Sequence, residues 1–202
     1  STYGSLREFS NEEKVTRHLM EKQSIAKVAY NCIEDGDAIF LDSGTTSIEL
    51  AKFIVTGHKR NVMVATNAVN ISMELCKAED IQSIIIGGEI RHKIYSCVGY
   101  LAELCLNHLN FDKGFITGNH FSLEHGFTTP NLQEAETKRR ILSVSKERYA
   151  LMDYSKYGDD SLALIAPISD VDTIITDWHI PQDTIKKIND KGVRVVVGSH
   201  PL

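Results

Sequence analysis

The 202-residue chain is 42% hydrophobic and 24% charged, a composition typical of a globular protein that buries its own core. Its net charge of −5 argues against direct binding of nucleic acid by this chain, because such binding favours basic surfaces. Its apolar runs are shorter than the roughly 18 residues that a membrane span needs, so we expect no contact with a membrane.

The cysteines include no CxxC pair, and no histidine lies at a metal-ligand spacing from them. We therefore expect reduced and mostly buried thiols in a cytoplasmic protein, with neither a metal site nor a cofactor. The chain begins with a polar segment that lacks both Met and the features of a signal peptide, so we expect a piece of a longer protein. The cysteines are Cys32, Cys76, Cys97 and Cys105.

The first predicted element is a long helix over residues 10–35. Ser10 and Glu13 form a capping-box pair at its start, and apolar residues follow at helical spacing. Gly36 is expected to end the helix in the position after the C-cap. A helix of this length is suited to joining an upstream domain, so we divide the chain into a connecting segment, 1–36, and an α/β domain, 37–202.

Strands and helices alternate along the rest of the chain. The predicted strands are apolar on both faces, which is typical of parallel strands covered by helices. They span residues 37–42, 61–66, 81–88, 111–118, 148–153, 173–177 and 193–198. The helices predicted between them span residues 46–54, 67–78, 99–109, 131–147 and 181–190. Residues 162–167 fit either a short strand or the edge of a helix. The alternation predicts an α/β fold with a doubly wound, mostly parallel sheet.

Small and polar residues stand at the ends of several predicted strands. Ligands of open α/β sheets bind beyond the carboxyl ends of the strands, so these residues are candidates for lining one crevice. They are Asp42–Thr46, Thr66–Asn67, Gly87–Gly88 with Glu89 and Arg91 beyond, Gly118–Asn119, and Asp153 with Ser155 and Lys156 beyond.

The loop "DSGTT" after the first strand has the chemistry of a phosphate cradle. Thr46 and Glu49 form a second capping-box pair, so we expect the helix to begin near Ser47 with free N–H groups that favour an anion. Gly44 would let the backbone approach a ligand, and the neighbouring hydroxyls would donate hydrogen bonds. The same residues also fit a capped turn that binds nothing. Asp42, unfavourable beside a phosphate, is better suited to accept hydrogen bonds from sugar hydroxyls.

Each remaining candidate also has a purely structural interpretation. Asn67 fits the N-cap of a helix, and Gly87–Gly88 fits a turn without a ligand. Glu134 and Lys138, four residues apart on one helix, fit a surface salt bridge, or Lys138 points into the crevice as a counter-charge for phosphate.

The polar residues after the later strands also have purely structural interpretations. Asp153 and Lys156 fit a polar turn as well as a ligand site. His120 and His125 flank a Gly- and Thr-rich loop over residues 118–129, and we interpret both as surface or lid residues.

Six motifs, in this order, resemble the C-terminal effector domain of DeoR-type bacterial transcriptional repressors. The resemblance runs from about residue 24 to residue 198. The motifs are "DSGTT", "TN", "GGEIRHKIYSCVG", "FDKGFITGN", "GFTTPNLQEAETKR" and "DYSK". The stretch "GNHFSLEHGFTT" departs from the family pattern, which more often has Gly and Ala here. We expect its phenylalanines and histidines to reshape the ligand pocket.

The resemblance implies a sensor domain for a phosphorylated sugar or related metabolite, with a fold like those of ribose-5-phosphate isomerase and the CoA-transferases. It implies a phosphate loop of Ser43, Gly44, Thr45 and Thr46. It implies that the pocket is completed by Asp42, Asn67, Gly87, Gly88, Glu134, Lys138, Asp153 and Lys156.

The resemblance also implies a homo-oligomer that contacts DNA through an N-terminal winged helix-turn-helix. Residues 1–36 are too few to supply that module, so DNA is expected to be a partner only through a domain absent from this chain. A ligand that shifts the oligomer between two arrangements would change the spacing of the DNA-binding domains.

The alternative function is a sugar-phosphate isomerase on the same scaffold. Isomerisation needs a base near the sugar and a group that stabilises an enediolate. Glu134 or Asp153 would be the base, and Lys138 or Lys156 the stabilising cation. We favour the sensor, which is not an enzyme, because of the resemblance and the long N-terminal helix.

Overall fold

A seven-stranded parallel sheet forms the centre of the computed structural model, which describes residues 6–200. In chain order the strands are β1 (Ala38–Leu41), β2 (Met63–Thr66), β3 (Gln82–Ile85), β4 (Glu89–Arg91), β5 (Ser96–Val98), β6 (Phe111–Ile116), β7 (His120–Ser122), β8 (Gly126–Thr129), β9 (Ser145–Leu151), β10 (Ala163–Ala166), β11 (Thr173–Thr176) and β12 (Arg194–Val197). The helices are α1 (Asn11–Val15), α2 (Leu19–Asn31), α3 (Thr45–Thr56), α4 (Val69–Leu75), α5 (Tyr100–Leu106), α6 (Leu132–Ser143) and α7 (Gln182–Asn189). The strand order is β12-β11-β9-β6-β1-β2-β3, and every neighbouring pair is parallel.

Both faces of the central sheet are buried under helices. Along β1, Phe40 packs edge-on against Phe111 in the layer that contains α5, α6 and α7. Ile39 and Leu41 face the opposite layer, which contains α2, α3 and α4. Burial of alternate residues on both faces explains why the strands are apolar throughout, and it confirms the predicted doubly wound α/β fold.

Two small antiparallel sheets extend the strand ends. β4 pairs with β5, and β8 pairs with both β7 and β10. Residues 162–167, for which a strand and a helix edge were both open, therefore contain a strand. The loop predicted over residues 118–129 is wrong, because most of this stretch forms the β7–β8 hairpin. Gly126 begins β8 with a φ of 73°, a conformation that favours glycine.

The long helix predicted over residues 10–35 is broken into α1 and α2. Ser10 and Glu13 do form the predicted capping box, but α1 ends at Val15. His18 then adopts a left-handed conformation, with φ 52° and ψ 40°, which no helical periodicity reveals. The predicted role of Gly36 is also wrong. α2 ends at Asn31, and Gly36 lies in the turn before β1 with a φ of 86°.

None of the helices in the described residues is both long and apolar enough to cross a membrane. All four cysteines are free thiols, but the expectation that most are buried is wrong, because Cys97 is buried, Cys32 is half-buried, and Cys76 and Cys105 are exposed. Burial raises the pKa values of Cys32 and Cys97, which favours the protonated, unreactive form of both.

Candidate functional site

Two adjoining cavities lie at the carboxyl ends of β1, β6 and β9. The inner cavity has a volume of about 40 Å³ and the outer cavity about 340 Å³. Between β1 and β6 the chain direction across the sheet reverses, which is the usual place for a ligand in open α/β sheets. The two cavities share the lining residues Lys14, Thr45, Gly118, Asn119 and Lys156.

The loop after β1 contributes the start of α3 to the inner cavity. Gly44 is the N-cap residue and makes no side-chain cap, so the first turn of α3 presents N–H groups without intrahelical acceptors. Ser43 and Gly44 line the inner cavity, and Thr45 lines both. Gly44 has a packing role as well, because a Cβ at this position would overlap Thr117.

The capping box predicted for Thr46 and Glu49 does not form. The helix begins at Thr45 rather than near Ser47, so Thr46 lies within its first turn and is fully buried. The Thr46 Oγ1 has no hydrogen-bond partner among residues 6–200, and Thr46 lines neither cavity. Glu49 instead pairs with Lys52 at 2.6 Å.

Asp42 is the acceptor at the centre of the strand ends, not a residue that faces a ligand. Its carboxylate accepts hydrogen bonds from the Thr117 N–H at 2.6 Å and the Ser47 hydroxyl at 2.7 Å, and it contacts Lys138 Nζ. Its side chain is fully buried and lines neither cavity. The expectation that Asp42 accepts hydrogen bonds from sugar hydroxyls is therefore corrected, because its acceptors are already occupied.

Lys138 is buried and lines the inner cavity. The surface salt bridge with Glu134 is not formed, since Lys138 pairs with Asp42 instead. The lysine thus stands between a fixed carboxylate and the cavity, as a counter-charge for an anion would.

Glu134 belongs to a second ion-pair network on the other wall of the inner cavity. Arg91 Nη1 donates to Glu134 Oε1 at 3.0 Å and to Glu8 Oε1 at 3.2 Å, and the Ser96 hydroxyl also contacts Glu134. Glu134 Oε2 is buried without a partner in the described residues. Asn131 caps α6 through the Glu134 N–H at 3.0 Å, which fixes the start of this helix at the cavity.

Asp153 and Lys156 lie on the wall of the outer cavity. The Lys156 Nζ is 3.4 Å from Asp153 Oδ2, and Ser155 also donates to Asp153. Burial alone would raise the pKa of Asp153, but Lys156 and the Ser155 hydroxyl lower it below its ordinary value. Asp153 is therefore an ionised acceptor beside a cation. The polar turn that contains Asp153 and Lys156 also forms part of the wall of the outer cavity.

Three predicted site residues, Asn67, Gly87 and Gly88, line neither cavity. Asn67 is not a helix cap, because α4 follows Ala68 and the Asn67 amide donates to the Cys97 carbonyl at 2.9 Å. Gly88 packs against β5, where a Cβ would come within 2.6 Å of the Val98 carbonyl oxygen. Asn67 and Gly88 therefore hold the β4–β5 hairpin to the sheet.

The two histidines of the β7–β8 hairpin differ in place. His120 lines the outer cavity, with its Nδ1 2.8 Å from the Ser161 hydroxyl, and burial lowers its pKa. His125 is exposed and lines neither cavity, although its partner Asp160 lines the outer one.

Sequence reasoning missed the contribution of the segment before α2 and of the first turn of α2. Glu8 lines the inner cavity, Lys22 the outer cavity and Lys14 both. No local pattern indicates this, because the segment reaches the strand ends by folding back across the chain. Thr117 was missed as well, although it lies beside Gly118 at the end of a predicted strand. Of the residues that the resemblance implied for the pocket, the structure brings together around the cavities Ser43, Gly44, Thr45, Glu134, Lys138, Asp153 and Lys156.

The groups around the cavities suit an anion better than a metal ion. Within residues 6–200, no group of three or more His, Cys, Asp or Glu side chains is arranged to hold a metal ion. The donors around the cavities are cations, hydroxyls and N–H groups, which suit an anionic ligand.

Solved structures with a similar fold include an enzyme and a translation factor. A D-ribose-5-phosphate isomerase in complex with phospho-erythronic acid aligns with a TM-score of 0.51 at 16% identity, covering 70% of this chain and 54% of that chain. A tetrameric eIF2B-beta2-delta2 complex from C. thermophilum aligns with a TM-score of 0.52 at 13% identity, covering 75% and 47%. At these identities the likeness confirms the predicted ribose-5-phosphate isomerase-like fold and nothing more.

Curated relatives are transcriptional regulators. The HTH-type transcriptional regulator IolR of Bacillus subtilis (strain 168) is 32% identical over 184 residues, which cover 91% of this chain and 72% of IolR. The HTH-type transcriptional regulator GlpR of Haloferax volcanii is 31% identical over 192 residues, covering 95% and 74%. A candidate aga operon transcriptional repressor of Escherichia coli O157:H7 is 34% identical, covering 93% and 69%. The chain therefore spans about seven-tenths of the length of these relatives.

The family model described as the DeoR C terminal sensor domain matches residues 17–178. This match includes β1, β6 and β9, whose ends form the cavities, together with the residues that follow each of them. With relatives of this identity along most of its length, the chain belongs to the DeoR family of transcriptional regulators, as the resemblance predicted, and carries its C-terminal sensor domain.

Proposed function

We propose that this domain binds a phosphorylated sugar or related metabolite at the strand ends and thereby controls DNA binding by an N-terminal winged helix-turn-helix. The observation that carries the proposal is the inner cavity, where the N-terminal turn of α3 meets Lys138 and Lys156. A helix N-terminus with adjacent lysines favours a phosphate over a neutral group.

The outer cavity has the size and polarity for the rest of such a ligand. Its volume of about 340 Å³ falls in the range of small-molecule sites. Asn119, His120 and Asp153 line it and offer hydrogen-bonding groups suited to sugar hydroxyls. We assign the recognition of sugar hydroxyls to these residues, in place of Asp42.

The regulatory half of the proposal rests on the relatives, several of which are named HTH-type regulators and extend beyond the aligned region. In a homo-oligomer, a ligand that changes how subunits are arranged changes the spacing of the DNA-binding domains and hence operator affinity. Residues 1–36 would then transmit the change, since they precede β1, the first strand of the central sheet. The genetic test is whether an in-frame winged helix-turn-helix is encoded upstream of Ser1, and its absence would count against this half of the proposal.

The direct experiment is a thermal-shift screen of the domain against monophosphorylated pentoses and hexoses and their unphosphorylated parents. A ligand at 100 times its Kd stabilises the folded state by about 2.7 kcal/mol. In a domain of this size that is a rise in Tm of roughly 5–11 °C. We expect rises with phosphorylated compounds only; a panel without any rise contradicts the proposal.

A sugar-phosphate isomerase is the second candidate. Glu134 and Asp153 line the cavities beside lysines, so a base and a cation stand together. The same screen separates the two functions, because any aldose phosphate that raises Tm can be incubated with the domain and analysed for its ketose. We expect the compound to be recovered unchanged, and sustained turnover would favour the enzyme.

A further inference from the structure

The segment that precedes α2, residues 6–18, lies across the strand ends rather than pointing away from the domain. The Asn11 N–H donates to the Lys93 carbonyl at 2.8 Å, and the Tyr95 hydroxyl contacts Glu12. Both contacts attach the segment to the β4–β5 hairpin. We call residues 6–18 the strap.

An ion-pair network holds the strap over the inner cavity. Arg91 in β4 binds Glu8 of the strap through both terminal nitrogens and binds Glu134 of α6 at 3.0 Å. The side chains of all three are at most 19% exposed, so solvent screens these pairs less than surface pairs. The strap is therefore fixed to the wall of the candidate site by a charge-assisted contact.

Lys14 of the strap is a cation without an anionic partner in the part of the chain that the structure describes. It is half-buried and lines both cavities, yet no carboxylate of residues 6–200 lies within ion-pair distance of its Nζ. The Lys14 carbonyl accepts a hydrogen bond from the buried Lys22 Nζ at 2.6 Å, which places a second cation beside it. A partly buried, unpaired ammonium is costly, and an anion bound in the cavity would remove that cost.

We propose that the strap is part of the effector site, and that a phosphate held at the start of α3 is also held by Lys14, so that ligand binding and the docked position of the strap are linked. The inference rests on the proposed function, since it assumes that an anionic ligand occupies the inner cavity. Thr45 and Lys14 line the same two cavities, one from α3 and the other from the strap.

Linkage of this kind has a definite sign. A ligand that contacts Lys14 only when the strap is docked binds the docked state more tightly, and therefore increases its population. The start of the strap is then held at the strand ends in a larger fraction of the molecules. The strap thereby couples occupancy of the cavity to the position of whatever lies upstream, without any movement of the central sheet.

The first arm of the test measures affinity by calorimetry, using ribose 5-phosphate and inorganic phosphate as probes. We expect Lys14→Gln to weaken binding roughly ten- to a hundredfold, the usual range for losing a hydrogen bond to a charged group. Lys14→Arg keeps the charge and should retain most of the affinity. Lys27→Gln is the matched control, because Lys27 is an exposed lysine of α2 that lines neither cavity.

The second arm measures the strap itself, by the rate of tryptic cleavage after Arg17, which is exposed. At saturating ribose 5-phosphate we expect cleavage to slow at least tenfold in the unmodified chain and in Lys27→Gln. In Lys14→Gln at equal ligand occupancy, the protection should be lost. Before either arm is interpreted, circular dichroism is used to verify that the Lys14→Gln variant is folded.

The outcomes separate this inference from the proposed function. If Thr45→Val weakens binding while Lys14→Gln binds and is protected like the unmodified chain, the site stands and the inference on the strap is overturned. If the unmodified chain binds neither probe nor any sugar phosphate, the inference on the strap and the proposed function are both contradicted. Weaker binding and lost protection in Lys14→Gln alone among the lysine variants supports the strap.

Discussion

Lys138 of α6 pairs with Asp42 at the end of β1, across 96 positions of the chain, and both side chains are buried. The pair joins α6 to the loop that begins α3, because Asp42 also accepts from the Ser47 hydroxyl and the Thr117 N–H. One carboxylate thus fixes the relative positions of three elements around the inner cavity. Asp42 acts on the site through Lys138 rather than by touching a ligand.

Lys138→Met should destabilise the domain strongly. Removing one partner of a buried ion pair leaves an uncompensated charge and typically costs about 3–5 kcal/mol. The measurement is urea denaturation without ligand. Lys146→Met is the control, because Lys146 forms an exposed pair with Asp112 and should change stability by less than about 1 kcal/mol.

The double variant Asp42→Asn, Lys138→Met gives the sharper comparison. Since an uncharged amide in place of the Asp42 carboxylate no longer needs a counter-charge, the double variant should be more stable than the sum of the two single changes predicts. Strict additivity would show that the two residues do not depend on each other.

Thr45→Val and Thr46→Val should have different consequences for phosphate binding although the residues are adjacent. Thr45 lines both cavities, so loss of its hydroxyl should weaken phosphate binding about fivefold, the equivalent of one hydrogen bond. The buried Thr46 Oγ1 has no partner in the described residues, so Val there should leave affinity unchanged and stability equal or higher. Calorimetry with ribose 5-phosphate and a thermal melt check both; equal losses of affinity would contradict this assignment.

The fold was predictable because its cause is local. Parallel strands buried on both faces must be apolar at consecutive positions, as Ile39, Phe40 and Leu41 are, and helices must alternate with them. The capping box at Ser10 was also correct, since its two side chains bond within one turn. The break at His18 was not predictable, because His rarely adopts the left-handed conformation and helical periodicity carries no trace of it.

The sequence could predict which residues of the site follow the ends of strands, but not which of them face a ligand. Whether Asp42 faces a ligand or the interior depends on Lys138, which lies 96 positions away. The same holds for the strap, because Glu8 reaches its partner Arg91 across 83 positions. Residue type and spacing along the chain do not encode such long-range pairing, so these roles required the structure.

Gly44 and Gly87 were both predicted to lie in the site, and alanine should distinguish them. At Gly44 a Cβ would overlap Thr117, and forcing extra volume into a packed position costs roughly 1–3 kcal/mol. At Gly87 a Cβ would meet nothing within 4 Å, and Gly→Ala at a permissive position stabilises by about 0.4–1 kcal/mol.

Urea denaturation of Gly44→Ala and Gly87→Ala measures both effects, and calorimetry tests the site. Gly87→Ala should bind ribose 5-phosphate unchanged, because Gly87 lines neither cavity. A loss of affinity in Gly87→Ala would show that Gly87 belongs to the site.

The affinity for phosphate should fall as the pH rises through about 8. Burial lowers the pKa of Lys14 to about 8 from its ordinary value of 10.5. Glu8 and Glu134 act on it in the opposite direction, whereas Lys138 and Lys156 add to the lowering. A bound phosphate favours the charged form of Lys14 and raises this pKa, so binding takes up a proton wherever the free lysine has lost one.

The expected change is a loss of roughly tenfold in affinity between pH 7 and pH 9, with phosphate monoesters remaining dianionic because their second pKa is near 6. Burial also lowers the pKa of Lys22 to about 8, so the slope can include both lysines. Calorimetry in buffers of different ionisation enthalpy measures the proton uptake directly. Lys14→Gln should flatten the pH profile, and Lys27→Gln should leave it unchanged. A profile that is flat in the unmodified chain contradicts the role of Lys14.

The stability of the ligand-free domain should depend on pH in the opposite direction to the affinity. The unfolded chain binds more protons than the folded one between pH 8 and 10.5, so Lys14 and Lys22 make stability rise with pH across that window.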